Sequence, residues 1–290
     1  LNFPAWLKNK IRNRKEKSGK QLKERWGMEL NLAGKVAVIT GGSSGIGREI
    51  SLSFATEGVH IAIIANDQHK GDKVVTECRN RGVDAVFIGC DVSDESSLQA
   101  AVNDAILEKF GKIDILINSA APYVRTGGQI NTILEQKPEI SERFIDVILK
   151  GAIHSTRTVL PFMMSQSWGR IIYIGSDVGR TGDSHQPVYA ASKAGVVGLM
   201  KSIAQFAGPH NIMVNCVSPA LTLTEEDEEL LVKNYGWGTE EGKKKLTGAY
   251  PTRKLAVAED IANMVVFLCS DRASDLTGQV ISVNGGFCMM

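Results

Sequence analysis

The stretch KVAVITGGSSGIG, residues 35–47, decides the fold. Val36–Thr40 is an apolar, largely β-branched run with no polar alternation, the pattern of a strand buried on both faces. It ends in glycines at 41, 45 and 47, spaced G-x-x-x-G-x-G, and then opens a segment of helical period. Glycines at those points let the backbone turn sharply and approach a pyrophosphate held on free N–H groups at a helix N-terminus. The same cluster also suits a plain tight strand–helix turn. Its place at the head of a longer array weighs toward a dinucleotide.

That array extends to the end of the chain. Six more short apolar runs follow, at 59–65, 85–89, 113–118, 170–175, 212–218 and 279–286. Between them lie segments of helical length and period at 45–57, 71–81, 95–109, 140–166, 187–207 and 257–270. Near-continuous apolar strands alternating with helices predict an α/β fold, a Rossmann-type doubly wound parallel sheet covered on both faces. Two regions break the rhythm. Residues 1–31 form a basic N-terminal extension, expected as a partly amphipathic helix with Phe3, Trp6, Leu7 and Ile11 on one side. Residues 220–256 are charge-rich, hold Trp237 and several glycines, and are expected to form a helical lid on the single catalytic domain 32–290.

Bulk composition excludes several function classes. The net charge is +1, so nucleic acid is not an expected partner. Nine Lys/Arg against three Glu in residues 1–30 give that segment +6, leaving −5 for the rest. The extension is read as an oligomer arm, a docking segment for a protein or an anionic membrane surface, or a disordered tail. Five dispersed cysteines with no CxxC imply free thiols in a reducing, cytoplasmic compartment, and five dispersed histidines give a metal site little support. No apolar run reaches the roughly 20 residues that span a bilayer.

Two further stretches suggest chemistry. IIANDQHK, 63–70, ends the second strand, and Asp67 lies twenty residues after Gly47. An acid near that distance binds the ribose 2′-OH and repels a 2′-phosphate; Asp67 is equally readable as a solvated loop acid. No arginine follows the strand, and Ser44 stands where a basic residue could grip the phosphate, so NAD is favoured over NADP. VYAASKAG, 188–195, sets Tyr189 and Lys193 one helical turn apart, and Ser176 ends the fifth strand thirteen residues before Tyr189. A phenol is a poor base at neutral pH, and a nearby ammonium favours its ionised form. A serine to hold a substrate oxygen and a tyrosine to pass the proton are what alcohol oxidation or ketone reduction needs.

With these residues in view, the chain resembles the short-chain dehydrogenase/reductases over about residues 32–286. The resemblance rests on TGGSSGIG (40–47), CDVSD (90–94), INSAA (117–121), Ser176, YAASK (189–193), VNCVSPALTLT (214–224) and LTGQVISVNGG (276–286). It implies a secondary alcohol or ketone substrate, with Ser176, Tyr189 and Lys193 catalytic. Expected cofactor contacts are Gly41, Ser43, Ser44, Gly45, Ile46 and Gly47 in the loop, then Asn66 and Asp67. Asp91 and Val92 flank the adenine, and Asn118, Ser119 and Ala120 lie along the cofactor. Tyr189, Lys193 (on the nicotinamide ribose), Pro219 and Ala220 join the set, with Thr222 and Thr224 at the nicotinamide end. Thr224 before EEDEELL also reads as a helix N-cap. The resemblance implies a homo-oligomer, tetramer or dimer, built on helices 140–166 and 187–207.

Some positions depart from the family pattern. DVILKG, 146–151, carries Ile148 where the family has an asparagine that holds a helix kink, whose freed carbonyl anchors a relay water. Ser119, Ala121 and Ala220 also replace usual residues. Two readings follow: an active enzyme with a modified relay, or a cofactor-binding subunit, catalytically weak or inactive, acting as a structural or regulatory partner. Substrate-side candidates are Pro122, Tyr123, Arg125, Asp177, Arg180 and Gln186, with Lys243, Lys244 and Lys245 in the lid. The two arginines could grip a carboxylate or an acyl-thioester carrier's phosphates, or be ordinary solvated loop residues.

Overall fold

Val36–Thr40 (β1) is buried along its whole length, as its unbroken apolar pattern requires, and lies inside the sheet. The computed structural model describes residues 29–122, 131–226 and 228–289. The remaining strands are β2 (His60–Ala65), β3 (Ala85–Gly89), β4 (Ile115–Asn118), β5 (Gly169–Ile174), β6 (Ile212–Pro219), β7 (Thr222–Leu223), β8 (Ala256–Val257) and β9 (Val280–Val283). Seven of the nine make one parallel sheet in the order β3-β2-β1-β4-β5-β6-β9. The chain winds outward from β1 to β3, then returns to place β4 on the other side of β1. The topological switch point therefore falls between β1 and β4, where Thr40 pairs with Asn118.

The helices cover both faces. They are α1 (Gly45–Thr56), α2 (Gln68–Arg79) and α3, which runs from Glu95–Ala100 through a π-helical stretch Ala101–Leu107 to Glu108–Phe110. Next come α4 (Pro138–Phe144, π-helical Ile145–Lys150, Gly151–Gln166), the single turn α5 (Val178–Thr181) and α6 (Pro187–Ala207). The last are α7 (Glu228–Tyr235), α8 (Glu240–Thr247) and α9 (Ala258–Cys269). On one face Phe144, Val159 and Met163 of α4 and Met200 of α6 pack against Leu116, Ile171 and Tyr173. On the other, Ile50 and Phe54 of α1 and Ile261, Val265 and Leu268 of α9 are fully buried. Each such side chain contributes about 1.5–3 kcal/mol by leaving water. Leu32–Met290 forms one compact unit.

Segment 220–256 has more structure than a loop. Thr222 and Leu223 pair in parallel with Ala256 and Val257, so the excursion is pinned where it leaves and re-enters the body. Leu231, Tyr250 and Leu255 form a small core of its own, with Trp237 and Leu246 packed on it. Two-residue strands carry no readable period, and this pair was not among the expected strands. The basic extension falls outside the described residues except for its last three.

All five cysteines are free and buried. Burial pushes the thiols of Cys78, Cys90 and Cys216 up to about 11, which keeps them protonated and unreactive. Among the described residues no helix is long and apolar enough to cross a membrane, and no three metal-ligating side chains gather.

Among the described glycines, the tightest approach of backbone to backbone is in the turn after β1. A methyl group on Gly47 would lie 2.1 Å from the Gly41 carbonyl oxygen. Gly47→Ala must therefore shift backbone against backbone, at a cost of about 1–3 kcal/mol. We expect a lower denaturant midpoint together with weakened dinucleotide binding by calorimetry; an unchanged midpoint would contradict the packing described.

Candidate active site

The phosphate loop is built on close backbone approach. Gly41 has φ +69°, and a methyl group there would sit 2.8 Å from Ala120 Cα, so the turns after β1 and β4 touch. Thr40 reinforces the contact, its hydroxyl accepting from the N–H groups of Ser119 (3.2 Å) and Ala120 (3.3 Å). Gly42 and Ser43 are buried, and Ser51 of α1 donates to the carbonyls of Gly42 and Gly47. At the helix start Ser44, Gly45 and Ile46 are half-buried, and the Ser44 side chain makes no capping bond. By contrast, Asp67 caps α2 and Asp94 caps α3. The first turn of α1 thus keeps its backbone donors for an anion.

At the end of β2, Asn66 and Asp67 are exposed. Asp67 accepts from the Lys70 N–H at 3.0 Å, so it is the N-cap of α2, and that cap starts the helix at Gln68 rather than at residue 71. Capping uses one carboxylate oxygen and leaves the residue compatible with a ribose hydroxyl. After β3, Asp91 accepts from both the hydroxyl and the N–H of Ser93 and pairs with Arg143 of α4 at 2.9 Å. Burial works against its charge, but these bonds outweigh it and hold the carboxyl below its ordinary range. Val92 is buried against Gly151.

Asn118 lies at the switch point, 8% exposed. Its Oδ1 accepts from Ser155 of α4 at 2.5 Å, whereas its Nδ2 has no hydrogen-bond partner among the described residues. A buried, unanswered amide donor beside a glycine cradle fits a ligand with acceptor oxygens. Ser155 was not among the sequence candidates; it is one of three buried hydroxyl residues on α4, with Thr156 and Thr158, and no local pattern singles it out. Asn118, Thr40, Ala120, Ile148, Ile174 and Lys193 also line a cavity of about 10 Å³, the size of one water.

Lys193 is 4% exposed, and its Nζ donates to the Ile174 carbonyl at 2.6 Å. The same Nζ lies 5.7 Å from the Tyr189 ring centroid. Tyr189 is half-buried, its ring meeting Phe144 of α4 edge-on at 5.7 Å. The loop bearing the half-buried Ser176 packs on this same turn of α6. A methyl group on Gly179 would lie 2.9 Å from Lys193 Cβ, a contact for which the sequence offers no cue.

The structure corrects several expectations here. Asp177 is not on the substrate side: it is 1% exposed and accepts from Ser218 (2.9 Å) and Asn284 (2.6 Å). It thereby ties the serine loop to β6 and to the segment after β9. Arg180 donates to Ser282 at 2.5 Å, and Gln186 to Asp183 at 2.8 Å, so each has a partner within the fold. Thr224 is not a helix N-cap, because α7 begins only at Glu228. Tyr123 and Arg125 lie outside the described residues, while Pro122 is half-buried after β4. Pro219 and Thr222 are buried, with Ala220 and Thr224 half-buried, as the chain leaves β6 for the 220–256 excursion. Finally, helix α4 is widened into a π-turn over Ile145–Lys150 although Ile148 carries no amide. Ile148 is 3% exposed and packs in the core within that stretch.

Comparison with known proteins agrees with this geometry. The profile of the family described as short chain dehydrogenase matches residues 35–234. The 3-oxoacyl-[acyl-carrier-protein] reductase FabG of Staphylococcus aureus is 35% identical over 256 residues, covering 88% of this chain and 98% of that protein. The reductase of the same name from Thermotoga maritima is 34% identical over 259 residues, covering 89% and 99%. Among solved structures, L-sorbose reductase from Gluconobacter frateurii, complexed with NADPH and L-sorbose, superposes with a TM-score of 0.83 at 30% identity. That match covers 91% of this chain and all of the other, and NAD+-bound xylitol dehydrogenase follows at 0.81 and 28%, covering 88% and 100%. A doubly wound sheet, a glycine cradle at its switch point and a tyrosine–lysine turn beside it are joined by likeness over nearly the whole body: the chain belongs to the short chain dehydrogenase family of oxidoreductases.

Proposed function

We propose that the protein reduces a ketone to a secondary alcohol, and the reverse, with Tyr189 exchanging the proton, Ser176 holding the substrate oxygen and Lys193 favouring the phenolate. The observation that carries the reading is the buried Lys193 ammonium one turn below Tyr189, on the turn where the Ser176 loop packs. A bound nicotinamide dinucleotide supplies or accepts the hydride. The residues suited to hold it are those of the 41–47 cradle on the pyrophosphate, Asn66 and Asp67 at the adenosine ribose, Asp91 and Val92 at the adenine, and Asn118, Ser119 and Ala120 along its length. Pro219, Ala220, Thr222 and Thr224 complete that set. Lys193, whose ammonium now donates to the Ile174 carbonyl, would hold the nicotinamide ribose through a hydroxyl acceptor. The domain is taken as 32–290, with 220–256 closing over substrate.

Ile148 favours a second reading, a cofactor-binding subunit without catalysis. Persistence of the π-turn weakens that reading, because the widened helix frees backbone carbonyls whatever side chain stands at 148. For the substrate, the 35% likeness to 3-oxoacyl-thioester reductases over nearly their whole length supports an acyl thioester. The exposed Lys243, Lys244 and Lys245 on α8 suit an anionic carrier. Arg180, already bonded to Ser282, gives this idea less help than its sequence position suggested. NAD is proposed over NADP because Asp67 stands at the end of β2 and Ser44 in the loop. A homo-oligomer is proposed because Phe206 on α6 is 60% exposed and Ile145 on α4 is 38% exposed. Five buried free thiols support a reducing, cytoplasmic compartment.

Four outcomes are expected. Turnover followed by nicotinamide absorbance should reveal activity with an acetoacetyl thioester ahead of ketoses. Tyr189→Phe should then lower kcat about 10²–10⁴-fold while dinucleotide affinity holds; unchanged turnover would remove Tyr189 from the proton step, and dinucleotide binding by the wild type without turnover on the whole panel would favour the inactive reading. Initial rates at matched concentrations should be higher with NADH than with NADPH, and the opposite order would overturn the cofactor preference. Light scattering should give a dimer or tetramer mass, reduced toward monomer by Phe206→Asp; a monomeric wild type would end the oligomer reading.

A further inference from the structure

The two residues after Thr224 fold back onto the phosphate loop. Glu226 Oε1 lies 3.3 Å from Lys70 Nζ, and a methyl group on Gly45 would sit 3.6 Å from Glu226 Oε2. Glu225 approaches Arg48 at 3.7 Å, and Arg48 also meets Glu77 at 2.7 Å and Glu49 at 4.0 Å. The cations nearest the loop on α1 and α2 are therefore both held by carboxylates. Beside them a cleft of about 320 Å³ is lined by Arg48 and by Glu49, Glu225, Glu226 and Glu259. Lys70 is in the first turn of α2, capped by Asp67, so it stands next to the end of β2 where an adenosine ribose is expected.

A 2′-phosphate brings up to two negative charges and seeks a cation. Lys70 is the lysine that the start of α2 offers, and Glu226 engages it. We propose that Glu226 is a cofactor-specificity residue: by engaging Lys70 and placing a carboxylate at the mouth of the loop, it turns away a 2′-phosphate. The excursion between β6 and α9, and not only the end of β2, then sets the choice of dinucleotide. This rests on the cofactor site proposed above and deepens it, because Glu226 belongs to a segment remote in sequence from both the loop and β2. The pair is half exposed, at 48% and 34% of side-chain area, so with the Glu226 charge removed the Lys70 ammonium is open to a dianion.

The test is calorimetric titration of the full chain with NADH and NADPH, for wild type, Glu226→Gln and the double variant Glu226→Gln/Lys70→Gln. A charge-assisted contact regained at a half-exposed site is expected to tighten NADPH about 5–20-fold in Glu226→Gln, with NADH nearly unchanged. The double variant should lose that gain. A Glu226 that only braces the segment would move both affinities together; that result, an unmoved ratio, or a gain that survives loss of Lys70 overturns the proposal. The shift in ratio is read separately from the wild-type preference. A wild type favouring NADPH with the ratio still moving defeats the NAD reading alone, and a wild type favouring NADH with a fixed ratio defeats only the role of Glu226.

Discussion

The site depends on two turns being able to touch. Gly41 after β1 and Ala120 after β4 meet backbone to backbone, closer than any side chain on the glycine would allow. That contact lies at the switch point, where the strand order reverses and the carboxyl edge of a parallel sheet leaves a crevice. Thr40 occupies the last position of β1 and uses its hydroxyl to hold both N–H groups of the opposite turn. The cradle, the Asn118 amide and the one-water cavity then follow from the same approach. If the turns were spread, α1 would no longer point its first N–H groups into the crevice that Asn118 faces.

How much of this was legible depends on how far apart the contributing residues lie. The seven sheet strands were readable because a parallel strand covered on both faces must be apolar throughout, and each such run is self-contained. The Tyr189–Lys193 turn was readable for a related reason, since helical spacing alone puts the two side chains on one face. Asp177 was misread because its partners, Ser218 and Asn284, are 41 and 107 residues away. Next to a serine in a loop, an aspartate looks solvated, and only the folded chain brings two donors to it. The β7–β8 pair, Ser155 and Gly179 escaped for the same cause: each acts through a partner that no local period reveals.

The buried Asp177 also explains how a loop residue can be held in place. Taking a carboxylate out of water is costly unless its lone pairs are answered. Here a hydroxyl from β6 and an amide from the segment after β9 answer it, and Asn284 in turn bonds the Cys288 carbonyl and the Gly286 N–H. Ser176 therefore sits one residue from an anchor connecting three parts of the sheet edge. The excursion over 220–256 is built differently, with a core of three buried side chains closed by a two-residue strand pair. Its described apolar core is small beside that of the main sheet.

The π-turn in α4 shows which part of the family pattern is replaceable. With Ile148 in place of an amide, something else must stabilise the widened turn, since a π-stretch gives up the regular i→i−4 ladder. The neighbours supply a reason. Gly151 admits Val92 where a methyl group would lie 2.6 Å from its Cγ2, and Leu149 lies against Gly195 of α6 at 3.1 Å by the same measure. Val147 and Ile148 are buried in the main core. The shape of α4 is thus imposed by glycine-mediated packing on both sides, and an apolar residue at 148 strengthens that packing instead of bonding across the turn. The consequence for chemistry is specific: the cavity beside Lys193 keeps a polar wall from Asn118 and Thr40 and gains an apolar one from Ile148. Position 148 thus offers that cavity no side-chain hydrogen bond, and its polar lining comes from Asn118, Thr40 and Lys193.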